Sequence, residues 1–333
     1  MTIKIGINGL GRIGRCVLRA VSEEQYNDIE VVAVNGPAEN ATHAHLLQYD
    51  SVHGRFPHPI THDDETIDMG KGPIKVFHTR NPEDIPWGDL GVDVVLECTG
   101  KFNTAKDCQT HLQQGAKKVL ISAPAKDECP TIVYGVNHDS IEDWHDVISV
   151  GSCTTNCLAP ITKVINEQFG IERGYMTTIH AYTGDQNIVD SSHSDMRRAR
   201  AAGLSMVPTK TGAAKAIGLV LPELEGKLHG TAIRVPTPNV SMVDLTVVTK
   251  GAVSKDIVNA ALIEAAAGEL KGVMTTNELP LVSIDFCHNP ASSIADLTQT
   301  SVVDGNLLHV AAWYDNEWGF SCRMLDIARL FSA

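Results

Sequence analysis

A chain of 333 residues, 43% hydrophobic and 20% charged, is long enough for two domains and too apolar for disorder, and no stretch approaches the ~18 apolar residues of a membrane span. Its net charge of −13, with no cluster of lysine and arginine among aromatics, excludes a nucleic-acid surface and requires a local basic pocket for any anionic ligand. Eight cysteines without a CxxC pair, and an N-terminus that enters a strand pattern with no signal peptide, point to a reducing cytoplasm.

Ile3 to Ile7 predicts the first strand, and Gly9-Leu10-Gly11-Arg12-Ile13-Gly14 follows at once. Ile13, Val17, Leu18 and Val21 then mark one apolar helix face. Glycines mark turns anywhere, so a lone GxGxxG is weak. Between a strand and a helix it predicts a dinucleotide site, where the glycines allow a tight turn and bring a pyrophosphate close to the helix N-terminus. The second strand, Val31 to Val34, runs into Asn35-Gly36-Pro37, where the carboxylate that usually binds the adenosine ribose hydroxyls is missing. No lysine or arginine lies between Arg19 and Arg55 to attract a 2′-phosphate, so NAD and NADP both stay open. Val92 to Leu96, Val119 to Ile121 and a strand ending near Val150 complete the alternation expected of a doubly wound parallel sheet.

Cys153, in Ser152-Cys153-Thr154-Thr155-Asn156, stands between that last strand and a helix patterned by Leu158, Ile161, Val164 and Ile165. A thiol at a helix N-terminus faces N–H groups and the positive end of the dipole, which favour the thiolate nucleophile over a thiol that otherwise titrates near ~8.5. The pentapeptide alone suits a buried structural cysteine equally well. Cys153 and Cys157 could share a helix face, but two ligands without a second pair make a poor metal site, and no metal is expected.

From about Tyr175 the strands lengthen and alternate, as in Ser241 to Thr249, which predicts an antiparallel sheet in a second domain. Asp256 to Leu270 and Glu317 to Phe331 read as amphipathic helices, and Thr183 to Pro208 as a long functional loop. His180, 27 positions after Cys153, ends a strand-like run. It is one of 14 histidines, and by type alone it is a core residue; beside the cysteine it could pair with the thiol and exchange a proton with substrate. Arg197, Arg198, Arg200 and Arg234, with Thr209, Thr211 and Gly212, supply guanidinium, hydroxyl and amide groups suited to phosphate oxygens, or else a solvated loop.

Ile7 to Arg15, Tyr49 to Gly54, Ser122-Ala123-Pro124, Ser152 to Asn156, Arg197 to Ala202, Arg234 to Ser241 and Trp313 to Gly319 together closely resemble the phosphorylating glyceraldehyde-3-phosphate dehydrogenase family, bacterial type. The resemblance covers essentially the whole chain. It implies an α/β fold: a Rossmann-type doubly wound parallel sheet over 1–151 and 316–333, and an α+β catalytic domain with a mainly antiparallel sheet over 152–315. It further implies a cytoplasmic glycolytic oxidoreductase that converts glyceraldehyde 3-phosphate, NAD(P)+ and inorganic phosphate to 1,3-bisphosphoglycerate, working as a homotetramer with no nucleic-acid or membrane partner.

Carried over residue by residue, Cys153 is similar to the family's nucleophile and His180 to its acid–base partner. Ser152, Thr154, Thr211 and Gly212 resemble the site for attacking phosphate, Thr183 and Arg234 the site for the substrate's own phosphate, and Arg198 a further substrate contact. Gly9, Gly11, Arg12, Ile13 and Gly14 match the pyrophosphate turn. Asn35, Gly36, Arg80, Ser122 and Asn316 match other cofactor positions, Asn316 that of the residue holding the carboxamide. Two positions depart from the family pattern: Asn35-Gly36 replaces Asn-Asp, and Val150-Gly151 replaces Asn-Ala. The rival readings are an erythrose-4-phosphate dehydrogenase, whose acyl intermediate goes to water, a cysteine hydrolase without nucleotide, and a non-catalytic nucleotide-binding module or adhesin.

Overall fold

The computed structural model describes residues 2–23 and 26–332. Short apolar runs separated by helices fold into parallel strands, because a crossover helix returns the chain to the same end of the sheet. The strands lie in the order Val147–Ser149, Lys118–Ile121, Val94–Glu97, Ile3–Asn8, Ile29–Asn35 and Pro73–Phe77, all parallel. Thr66–Asp68 and Thr61–His62 extend this sheet antiparallel at one edge. Ile5, Ile7, Val94, Val95 and Leu96 are fully buried, as expected where helices cover both faces. Chain order reverses between Ile3–Asn8 and Val94–Glu97, so the ends of these two strands open the crevice in which such sheets bind ligands. The sequence signalled neither the helix Asn40–Gln48 nor the strand Pro73–Phe77, which pairs with Ile29–Asn35.

A second sheet runs Val207–Thr209, Leu228–Val235, Ile171–Ala181, Ser241–Thr249, Leu307–Tyr314, Ser293–Asp296 and Met274–Asn277, with Ser301–Val303 also beside Leu307–Tyr314. It is mainly antiparallel, as expected, but Ile171–Ala181 is parallel to Leu228–Val235, and Met274–Asn277 to Ser293–Asp296. The register of the first of these pairs sets His180 opposite Arg234. The helix Cys153–Phe169 packs Leu158, Ile161, Val164 and Ile165 with Met176, Val243, Leu245 and Val247 of the sheet. The expected loop over 183–208 is largely irregular, apart from a short 3₁₀ turn at Ala202–Leu204. Its last residues join the sheet edge, where Pro208 is tolerated because an edge strand has one unpaired side.

The two sheets belong to two compact units, each with its own core. One comprises the described residues up to Ile132, His138–Ser152 and the chain from Ser321; the other comprises Val133–Asn137 and Cys153–Phe320. In the first unit the C-terminal segment is fastened by Tyr26, whose hydroxyl donates to Cys322 O (3.1 Å), and by Arg329, whose Nε donates to Asp28 (2.7 Å). Among the described residues no helix is long and apolar enough to cross a membrane.

Candidate active site

The turn before the cysteine is built without the residues usual at positions 150 and 151. Val150 is fully buried, and Gly151 adopts φ +68°, a left-handed conformation that a side chain would disfavour. Ser149 Oγ accepts from Gly151 N (2.9 Å) and donates to Ala123 O (2.6 Å), so the bend is held by hydrogen bonds from the strand itself. Ser152 follows, half-buried, and Cys153 is the first residue of its helix.

Cys153 Sγ lies 3.5 Å from His180 Nε2. His180 Nδ1 is 2.7 Å from Ala181 O and 3.0 Å from the Arg234 guanidinium. With the ring proton on Nδ1 and donated to that carbonyl, Nε2 is the acceptor facing the thiol. Tyr314 supports both partners: its buried hydroxyl is 2.8 Å from Thr154 Oγ1 and 2.9 Å from Thr178 Oγ1, and its ring meets His180 edge-on at 5.9 Å. The expected thiolate-favouring environment requires correction. Burial pushes the Cys153 thiol up, and the Arg234 charge and the Thr154 N–H and hydroxyl offset this only in part. Burial, and then Arg234, push His180 down to about 3. The resting pair is therefore neutral thiol and neutral imidazole, ready to transfer a proton when the thiol attacks.

The substrate candidates fall into three groups. Arg234 donates to Ala181 O (3.0 Å) and reaches Thr183 Oγ1 (3.4 Å), which brings both expected residues beside His180. Arg198 is fixed by Asp185 (2.5 Å) and Thr209 Oγ1 (3.0 Å). Thr211 accepts from Ala213 N (3.2 Å) at the start of the helix Ala213–Val220, and with Gly212 it lines a cavity of about 650 Å³ beside Lys215 and Lys227. Thr154 turns its hydroxyl inward to Tyr314 and is 3% exposed, so its side chain serves the frame of the site instead of facing a ligand.

In the first unit Gly9, Gly11, Asn35 and Arg80 line one cavity of about 420 Å³ at the strand ends. Gly9 has φ +106°, and a Cβ on Gly14 would lie 2.0 Å from Gly9 O, so the turn and the helix behind it can meet only through glycine. A Cβ on Gly11 would meet nothing within 4 Å, which leaves the turn open on that side. An open glycine cradle at the positive end of the helix Arg12–Glu23 fits a pyrophosphate. The Arg12 guanidinium is held by Asp50 (2.5 Å), and Ile13 is half-buried behind it. Asn35 donates to Asn8 Oδ1 (2.7 Å) and to Thr79 O (3.1 Å), and accepts from Thr79 N (3.1 Å). Ser122 closes the strand Lys118–Ile121, its N–H donating to Glu97 O (3.0 Å). In the second unit Asn316 Oδ1 accepts from Ser241 Oγ (2.8 Å).

Sequence reasoning assigned no role to Tyr314, Ser241 or Asp185, nor to a buried chain beneath the glycine turn. In that chain Trp87 Nε1 donates to His111 Nδ1 (3.0 Å), His111 Nε2 meets Glu97 (3.1 Å), and Asn8 donates to Glu97 (2.6 Å). Tyr314 lies inside the Trp313–Gly319 motif; the buried chain leaves no sequence signal, because its members are scattered over 8–111.

A nucleotide cradle in one core and a cysteine–histidine pair beside an arginine in the other fit a nucleotide-dependent dehydrogenase. Residues 3–105 match the family described as "Glyceraldehyde 3-phosphate dehydrogenase, NAD binding domain", and residues 152–316 match "Glyceraldehyde 3-phosphate dehydrogenase, C-terminal domain". The glyceraldehyde-3-phosphate dehydrogenase of Xanthobacter flavus is 58% identical over 330 residues, 98% of each chain. Those of Cereibacter sphaeroides and Geobacillus stearothermophilus are 56% and 54% identical, again over 98% of both chains. The chain belongs to the glyceraldehyde 3-phosphate dehydrogenase family.

Proposed function

We propose that this chain oxidises glyceraldehyde 3-phosphate with NAD(P)+ and inorganic phosphate to 1,3-bisphosphoglycerate, with residues 1–151 and 316–333 holding the nucleotide and 152–315 performing the chemistry. The observation that carries the reading is the 3.5 Å approach of Cys153 Sγ to a neutral His180 beside Arg234. Cys153 Sγ bonds to the aldehyde carbon as its proton passes to His180 Nε2, and His180 hands that proton on to the carbonyl oxygen, giving a thiohemiacetal on the sulfur and a neutral imidazole again. Nicotinamide, when bound, supplies the hydride acceptor. His180 removes the hydroxyl proton as the carbon–oxygen double bond re-forms, leaving a thioester that retains the oxidation energy. Inorganic phosphate then attacks the thioester carbon, the carbon–sulfur bond breaks, and the thiolate leaves to be reprotonated.

Arg234 and Thr183 hold the substrate's phosphate and Arg198 adds a further contact. Thr211, Gly212, Ser152 and the backbone of Thr154 receive the attacking phosphate. The glycine turn with Arg12 and Ile13, together with Asn35, Arg80 and Ser122, binds the nucleotide, and Asn316 its carboxamide. The direct test is turnover with and without inorganic phosphate: phosphate should be a true co-substrate. Equal rates without it, with release of free acid, would instead support the hydrolytic reading. Arg234→Ala should impair the phosphorylated aldehyde far more than an unphosphorylated one, since a charge-assisted contact is worth about 1.5–3 kcal/mol.

The assembly is a homotetramer in the cytoplasm. Ile188, Val189, Met196, Leu204 and Met206 are exposed within the loop 183–208, an apolar surface that association would cover. Light scattering after size exclusion should give four times the 35.9 kDa chain mass; a stable monomer would contradict the assignment.

A further inference from the structure

His43 is a buried histidine to which the reaction gives no task. It lies in the helix Asn40–Gln48, 4% exposed, and neither ring nitrogen makes a hydrogen bond of good geometry, although the Gly36 carbonyl lies close to the ring. Buried polar side chains are nearly always satisfied, so an imidazole left in this state marks a place where another molecule supplies the partner. Its surroundings say which. His43 lines the same cavity as Gly9, Gly11, Asn35, Thr79 and Arg80. Its Nε2 lies beneath Gly36: a Cβ there would be 2.6 Å from Nε2 and 3.1 Å from Leu10 Cβ. Gly36 follows the second strand, the position from which dinucleotide-binding folds send a carboxylate to the adenosine ribose. The imidazole thus fills, from the helix side, the space that carboxylate's own side chain would need.

We propose that His43 takes the place of the missing carboxylate by hydrogen-bonding the 2′-hydroxyl of the adenosine ribose, and so sets the nucleotide preference of this chain. The inference rests on the nucleotide-binding reading of this unit. Burial, with smaller effects of His78 and Arg15, pushes His43 below the ordinary imidazole range, while the nearby Gly36 carbonyl opposes the shift. The ring is neutral at physiological pH and so, unlike a carboxylate, sets no charge against a 2′-phosphate. Restoring the carboxylate by Gly36→Asp alone is sterically blocked, because its Cβ would press into the His43 ring.

The test is calorimetric titration of the full chain with ADP and with 2′-deoxy-ADP, which needs no turnover. Wild type should bind ADP roughly tenfold more tightly than the deoxy analogue, the worth of about 1.4 kcal/mol. His43→Leu, similar in volume and apolar, should bind the two alike, with ADP weakened to the level of the analogue. His43→Gln, which keeps a polar head, should retain part of the preference and guards against a loss that merely reflects misfolding. An equal preference in wild type and His43→Leu overturns the inference, as does a wild type with none. Absence of ADP binding by the wild type would sink the nucleotide-binding reading and this inference with it.

Discussion

Cys153→Ser reduces turnover to background while nucleotide binding by the glycine cavity is unchanged. A serine hydroxyl is a far weaker acid and nucleophile than a thiol, and its ester would be a poorer acyl donor to phosphate than the thioester. The cavity that holds Gly9 and Gly11 belongs to a different core from the helix that begins at Cys153, so the loss is confined to chemistry. Iodoacetamide should also label Cys153 before the other thiols. Burial drives the Cys98, Cys108 and Cys157 thiols far up and Cys129 to about 12, whereas Cys153 has a base 3.5 Å away. No disulfide joins any of the eight cysteines. Peptide mapping after brief alkylation reads the order; equal labelling of several cysteines, or measurable turnover in the serine variant, contradicts the assignment.

His180→Asn should lower the maximal rate by about 10²–10⁴-fold, the usual worth of general acid–base catalysis, and slow Cys153 alkylation near neutral pH. Both effects follow from one loss: the imidazole that accepts the thiol proton also returns protons to the reacting oxygen. Stability provides an independent measure of the same group. The folded state holds His180 near 3 against an ordinary 6.5, so below 6.5 the unfolded chain binds the proton first. Its stabilising effect is complete above that value and declines as pH falls, by about 2 kcal/mol at pH 5. The variant should therefore lose less stability between pH 7 and 5 than the wild type. Parallel denaturation profiles, or an unchanged alkylation profile, would show that His180 is not the buried neutral base of this site.

The strands nearest the glycine turn were legible from their apolar residues: Ile3, Ile5 and Ile7 recur at every second position directly before the glycines, and Val119 to Ile121 is a continuous apolar run, fully buried. The strand Pro73–Phe77 was not, since Pro73 and Lys75 interrupt its apolar residues and only pairing with Ile29–Asn35 makes it part of the sheet. In the candidate site Cys153 stood out through local context, a strand followed by a patterned helix. Tyr314, Asp185 and His43 did not, because their importance lies in what they touch across long sequence separations. Charge states were the least legible. The helix N-terminus is visible in the sequence, but the burial that outweighs it exists only after the sheet forms.

The parallel pairing of Ile171–Ala181 with Leu228–Val235 ties substrate choice to proton chemistry. Because the register sets Arg234 level with His180, the guanidinium proposed to hold the substrate's phosphate also helps to keep the imidazole deprotonated and offsets part of the upward shift of the thiol. Redesign of this pocket for an uncharged aldehyde by removing Arg234 would therefore alter the pH response of the enzyme as well as its substrate range. A drifting or engineered lineage could broaden its diet only by retuning the acid–base pair at the same time.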